Sequence, residues 1–198
     1  MAHLGGLLPK GGWGAIPHSG GVQRFYIPST DSTAAYIGGL AKLAGSSDAT
    51  GKFATVTANV SAADVVVGAI GGVAAIQPGD RDTDPRAALT YRAASTNRYV
   101  DVVVDPRQVY EIDEDGAGTP IAAASVGLNA TLINLTSGST VDGRSSMQID
   151  SSTVATTATL DVQILNLTRK VGNAIGAAGS TWDVRLNNHQ FVDGATGV

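Results

Sequence analysis

Apolar and polar residues alternate with a period of two along much of the chain from Val22 onward. Over residues 98–105, Val100, Val102 and Val104 point one way while Tyr99, Asp101 and Val103 point the other. Leu160, Val162 and Ile164 alternate with Thr159, Asp161 and Gln163, and Trp182, Val184 and Leu186 alternate with Asp183 and Arg185. That period predicts strands with one wall buried and the other wet or against a partner. Residues 24–27, 52–60, 64–76 and 108–112 add β-branched and apolar runs, with Gly71-Gly72 marking a bend or bulge inside the third. Residues 34–44 fit a strand or a helical turn equally well. Turn chemistry separates the runs: Pro78-Gly79 and Asp84-Pro85 in the polar stretch 77–86, Asp105-Pro106 between two strand runs, and Asp115-Gly116 after the second. The pattern predicts an all-β protein: one antiparallel β-barrel or jelly-roll-like sandwich over residues 22–198.

Residues 1–21 break the alternation. They hold seven glycines and two prolines, yet carry Leu4, Leu7, Leu8, Trp13 and Ile16. A glycine-rich segment with large apolar anchors is expected to be an extended arm ordering on a neighbouring surface. These five residues are therefore the candidate interface, Trp13 first among them, because tryptophans often dominate interface energy. A frayed terminus or a strap across the chain's own barrel are the plainer alternatives. Trp182, inside an alternating strand, is expected in the core.

Composition narrows the function. Of 198 residues 43% are hydrophobic and only 15% charged, so a core can form and much of the surface is weakly charged. The net charge of −4 and the lack of any Lys/Arg cluster argue against nucleic acid as a partner. Cysteine is absent, which removes disulfides and thiolate metal sites. The longest apolar run, 62–76, contains Asp64 and three glycines and is too short to span a bilayer; residues 1–8 lack a signal-peptide pattern. A soluble protein made in a cytoplasm, without membrane contact, is expected.

No constellation of catalytic or ligating residues stands out. Asp80, Asp82 and Asp84 resemble the start of a calcium loop, but Pro85 and Tyr91 stand where such a loop needs Gly and Glu. Glu111, Asp113, Glu114 and Asp115 form the densest acidic patch; a glycosidase pair would need two of them held apart in a cleft. His3, His18 and His189 form no ligand spacing, and His189 reads as a hydrogen-bonded strand-end residue. Gly68, Gly71 and Gly72 lack the Lys-Ser/Thr and helix of a phosphate loop. The Asn-x-Ser/Thr triplets at Asn59, Asn129, Asn134 and Asn166 read as products of a Thr/Ser-rich chain. Expected site residues are none for catalysis, cofactor or metal.

Several segments, in order, resemble head decoration (cement) proteins of tailed bacteriophages. They are Tyr91-Arg92-Ala93-Ala94-Ser95-Thr96-Asn97-Arg98-Tyr99-Val100, Asp105-Pro106, Val109-Tyr110-Glu111-Ile112-Asp113-Glu114-Asp115-Gly116, Val126-Gly127-Leu128-Asn129-Ala130, Met147-Gln148-Ile149-Asp150-Ser151-Ser152-Thr153 and Asn187-Asn188-His189-Gln190. The resemblance spans most of 25–198 and rests on order, no single motif being diagnostic. It implies a non-enzymatic β-rich virion protein, a homotrimer or alternatively a dimer. Such a protein sits on the exterior of an HK97-type capsid, against the major capsid protein, after synthesis in the bacterial host's cytoplasm. A virion surface module that binds host glycan is the alternative, and a glycan hydrolase using the 111–115 carboxylates the third.

Overall fold

In the computed structural model, which describes residues 5–12, 21–74 and 90–192, strands predominate. They are β1 (Leu8–Gly12), β2 (Val22–Ile27), β3 (Leu40–Ser47), β4 (Ala54–Thr57), β5 (Gly68–Val73), β6 (Arg98–Val103), β7 (Gln108–Asp113), β8 (Asn129–Ala130), β9 (Leu132–Ile133), β10 (Gln148–Ile149), β11 (Val162–Leu167) and β12 (Thr181–Leu186). Among the described residues the helical pieces are two short 3-10 turns, Ala123–Ser125 and Ser151–Thr153. The all-β expectation holds.

Strands β2, β4, β3, β5 and β6 close a barrel in that order. β2 lies antiparallel to β6 along its whole length, from Val22 opposite Val103 to Ile27 opposite Arg98. A single parallel contact, Tyr26 beside Thr55, closes β2 on β4. Five strands leave a narrow interior. Ala41, Val56, Val67, Ile70, Val100 and Val102, together with Phe25 and Ile27, fill it. This strand order does not establish a jelly roll.

The second layer is a sheet in the order β1-β7-β12-β11-β8. Its inner face carries Tyr110, Ile112, Val162, Ile164, Trp182, Val184 and Leu186, all buried in one cluster with Leu40, Ala69 and Val103 from the outside of the barrel. Val102 therefore faces the barrel interior while Val103 faces the sheet, as alternation requires. Trp182 is fully buried, as expected, and its indole N–H donates to Ser180 Oγ at 2.8 Å.

Glycine makes the close approach of β5 and β6 possible. Gly68 has φ +148°, and a β-carbon there would lie 1.8 Å from the Val103 carbonyl oxygen. The predicted bulge is real: the β5–β6 register shifts between Ile70 and Gly72.

Two expectations need correction. The runs on either side of Asp105-Pro106 read as neighbouring strands joined by a tight turn, but β6 belongs to the barrel and β7 to the sheet. The chain crosses between layers there, because the outer wall of β6 has to pack on Tyr110 rather than pair beside it. Asp161 was expected on a wet wall and is instead buried. Its two oxygens accept the N–H groups of Ala63 (2.7 Å) and Leu132 (2.8 Å), fastening a barrel loop to β9. Burial pushes its carboxyl up, against those two hydrogen bonds.

Two polar centres hold the barrel's loops. Arg92, fully buried, donates to the carbonyls of Thr33, Pro28 (2.8 Å), Asp31 (2.7 Å) and Thr96 (2.8 Å), while its backbone pairs with Ala35. At the β3–β4 turn, Asp48 accepts from Thr50 Oγ1 (2.6 Å), Phe53 N (3.0 Å), Lys52 N (2.9 Å) and Tyr99 Oη (3.2 Å). The Thr50 hydroxyl and the Phe53 and Lys52 amides draw its carboxyl down to about 2, Tyr99 adding to them and burial opposing.

Arg92→Met keeps the apolar stem and strips the donors from four carbonyls. It is expected to cost about 3–5 kcal/mol in urea unfolding, and a loss below about 1 kcal/mol would show that the guanidinium does not organise these loops. For Asp48, whose folded carboxyl lies below its unfolded range of about 3.9, the contribution is complete above that range and is lost as pH falls through about 2. The urea midpoint of Asp48→Asn should therefore fall less steeply between pH 4 and pH 2 (an approximate window) than that of the parent chain; parallel curves contradict the assignment.

Candidate interaction surfaces

The expected arm residues separate. Leu7 is completely buried in the chain's own core, and its N–H donates to the Gly38 carbonyl at 2.9 Å. Leu8 is half-buried at the start of β1, opposite Glu111. The stretch 5–12 is thus a strap that ends as the outermost strand of the sheet, and this stretch of the expected separate arm is built into the main body. A side chain on Gly6, φ +83°, would meet the Gly38 carbonyl oxygen at 2.5 Å, so glycine lets this strap lie flat. Leu4, Trp13 and Ile16 lie outside the described residues, as do Asp80, Asp82, Asp84, His3 and His18.

The acidic patch disperses. Glu111 and Asp113 project to the outer face of β7. There Glu111 pairs with Lys10 (3.0 Å), which also reaches Asp183 (3.0 Å), while Asp113 accepts from Thr181 Oγ1 (2.7 Å). Glu114, one residue beyond the strand, turns inward and is fully buried; its Oε2 accepts from Ile121 N at 2.9 Å. Asp115 serves the following turn, accepting from Ala117 N (3.2 Å) and Ser151 N (3.3 Å). Each carboxylate holds backbone or a neighbour. Among the described residues no group of three His, Asp or Glu is placed to hold a metal ion. Nor is any helix among them long and apolar enough to cross a membrane.

His189 is the strand-end residue expected. It lies three residues past β12 and is 4% exposed, and its Nδ1 accepts from Phe191 N at 3.1 Å. Its backbone bridges Val66, linking the C-terminal turn to the barrel. With Nδ1 accepting, Nε2 carries the ring proton, and that atom has no partner within the described chain. Gly68, Gly71 and Gly72 sit in a strand.

Three surface features went unforeseen. The first is the loop 169–180 between β11 and β12. It carries Arg169 and Lys170 with no carboxylate, and presents Val171 fully exposed and Ile175 52% exposed. Asn173 fixes its base, donating to Thr168 O (2.9 Å) and Thr181 O (2.8 Å) and accepting from Thr181 N (2.9 Å). The second is a stacked ring pair, Tyr36 and Tyr91, 5.3 Å between centroids, both half-buried, with Tyr36 lying on Gly138. The adjoining hairpin 138–146 contributes Ser139, Asp142, Arg144 and Ser146 to a cavity of about 250 Å³. The third is a cavity beside the β6–β7 crossing and the C-terminal turn. The first two are made by loops, where alternation gives no signal, and the third joins loop residues to Arg185 and Leu186 at the end of β12.

Comparison of the chain with protein-family models, curated proteins and solved structures finds no match.

His189 supplies a pH test of the packing. Burial lowers its pKa, so the unfolded chain takes up a proton first as pH falls below about 6.5. Stability from this group is complete above that pH and declines below it. His189→Gln should flatten the thermal midpoint between about pH 5 and pH 7 relative to the parent chain; an unchanged slope would place the ring in water instead.

Proposed function

We propose that this chain is a structural virion protein that binds the outer surface of a phage capsid and stabilises the shell. The observation that carries this reading is the loop 169–180, a clamped hairpin end with aliphatic side chains held in water. Exposing Val171 and Ile175 brings no benefit to the isolated fold. Burying such a pair against a partner is worth roughly 3–5 kcal/mol by transfer arithmetic. Because Asn173 already fixes the loop base, little conformational entropy is lost on docking. The ordered segments resembling phage decoration proteins supply the identity of the partner, the major capsid protein. The dispersal of the 111–115 carboxylates into structural contacts favours covering over catalysis.

A shell offers the same contact many times, so self-association into a homotrimer, or alternatively a dimer, turns modest contacts into strong attachment. Preferential binding to the expanded shell then resists its opening by linkage. Loss of the gene should leave particles that open at lower temperature or lower chelator concentration, and purified heads should carry the protein in fixed stoichiometry. Val171→Asp with Ile175→Asp should lower occupancy on bare shells at least about tenfold without changing the thermal midpoint of the free protein. Full occupancy by that variant, or absence of the protein from purified heads, overturns the proposal.

The second reading, a virion surface module for host glycan, is favoured by the Tyr36–Tyr91 stack beside the polar hairpin 138–146, since sugars bind through aromatic faces and fixed hydrogen-bond groups. Glycan-array binding that disappears in Tyr91→Ala, with loss of particle adsorption, selects it over shell binding.

A further inference from the structure

Loop 169–180 is built from three successive β-turns. Asn173 N donates to Lys170 O at 3.1 Å, Ala177 N to Ala174 O at 3.2 Å and Ser180 N to Ala177 O at 3.1 Å. The third residue of each turn is a glycine with positive φ: +81° at Gly172, +75° at Gly176 and +72° at Gly179. The second residue of each, Val171, Ile175 and Ala178, keeps a negative φ. These are type II turns, whose third position suits glycine. A β-carbon on any of the three glycines would meet nothing within 4 Å, so conformation rather than crowding calls for glycine there. The three second residues are all exposed. The turns therefore hold apolar side chains out at fixed places, and Asn173 pins the loop to the start of β12.

The charge on this loop is one-sided. Arg169 opens it, two residues before Val171; it is exposed and makes no hydrogen bond or ion pair among the described residues. Lys170 Nζ donates to Thr181 Oγ1 at 3.5 Å. Residues 169–180 contain no Asp or Glu, although the chain as a whole carries a net charge of −4.

We propose that loop 169–180 seats on a protein surface that sets carboxylates beside an apolar hollow, Arg169 pairing with one of those carboxylates. The inference rests on the reading of this loop as the contact with the shell, and it names the chemistry the shell presents there. A guanidinium matches a carboxylate in geometry as well as charge. A wholly apolar partner would take Arg169 out of water unpaired. A nucleic acid or an anionic membrane extends its charge well beyond one loop, where it meets a chain of net negative charge. Only a local group of carboxylates around an apolar contact uses both characters of the loop.

The test uses the full chain and phage shells stripped of it, with occupancy measured against free protein at low and at high salt. Arg169→Gln should weaken binding at least about fivefold at low salt and lessen its salt dependence, whereas Arg169→Lys should keep that dependence. Because Arg169 is exposed and unpaired in the free chain, neither variant should move the thermal midpoint. Shells whose surface carboxylates have been amidated with carbodiimide and ethanolamine should bind the parent chain at least about tenfold more weakly, and on them Arg169→Gln should no longer differ from the parent. The proposal is overturned if Arg169→Gln binds native shells with the parent's affinity and salt dependence, or loses as much on amidated shells as on native ones. It is also overturned if vesicles of phosphatidylserine and phosphatidylcholine in equal amounts bind the chain as tightly as shells do. Occupancy lost with Val171→Asp and Ile175→Asp but kept with Arg169→Gln sinks this inference alone; a parent chain that leaves shells bare sinks the shell reading with it.

Discussion

One patch of the barrel wall, where Leu40-Ala41 of β3, Ala69-Ile70 of β5 and Val102-Val103 of β6 meet, is buried on both faces, and the rest of the architecture follows from that constraint. Leu40, Ala69 and Val103 lie outside the barrel under the sheet, while Ala41, Ile70, Val100 and Val102 lie inside it. A strand buried on both sides has no polar face to give to water, so its neighbours have to approach closely without side-chain conflict. Gly68 supplies that freedom where β5 meets β6. The same wall compels the chain to leave β6 for the sheet rather than fold back beside it, which puts Tyr110 and Ile112 against the barrel. Burial drives the Tyr110 phenol far above its ordinary pKa, and its hydroxyl reaches the Val103 carbonyl at 3.4 Å.

The doubly buried wall also explains which parts of the fold were legible in the sequence. In β12 alternation reported the inner face correctly and placed Trp182 in the core, but Asp183 on the other face, expected wet or against a partner, is only 6% exposed beneath Lys10, Asn166 and Thr168. Where both faces are dry, the signal disappears: Leu40 and Ala41 are adjacent and both buried, so residues 34–44 offered no period to read. The misread pair around Asp105-Pro106 has a related cause. Turn chemistry states that the chain reverses, not which sheet receives it, and the deciding contact between Val103 and Tyr110 depends on the completed barrel. Asp161 was misplaced because its partners, Ala63 and Leu132, are distant in sequence.

For the candidate sites the sequence was informative in a different way. Period two put Glu111 and Asp113 on one face of β7, and the end of that strand released Glu114 inward, so four acids in five positions came to have separate tasks. The arm shows the reverse. Glycine content marked 1–21 as unusual, but not that Leu7 would be an anchor for the chain's own core. Glycine permits both outcomes, a free arm and a flat strap, and the close approach of Gly6 to Gly38 selects the strap for this portion.

The exposed apolar side chains and the stacked ring pair lie mostly where strands stop. Loop 169–180 is held by Asn173 against Thr181 at the start of β12, and the 138–146 hairpin by its own Gly138–Ser145 bridge. The fold thereby separates two tasks. Its sheets bury most of their apolar side chains against one another, which leaves the exposed aliphatic side chains mainly on loops whose shape is already set. Exposed valine, isoleucine and phenylalanine on such loops lose little entropy when covered, so a partner gains most of their transfer energy. A protein that acts by covering another surface needs that property more than it needs a reactive group, and here the loops possess it while the carboxylates of residues 111–115 are committed to holding the fold.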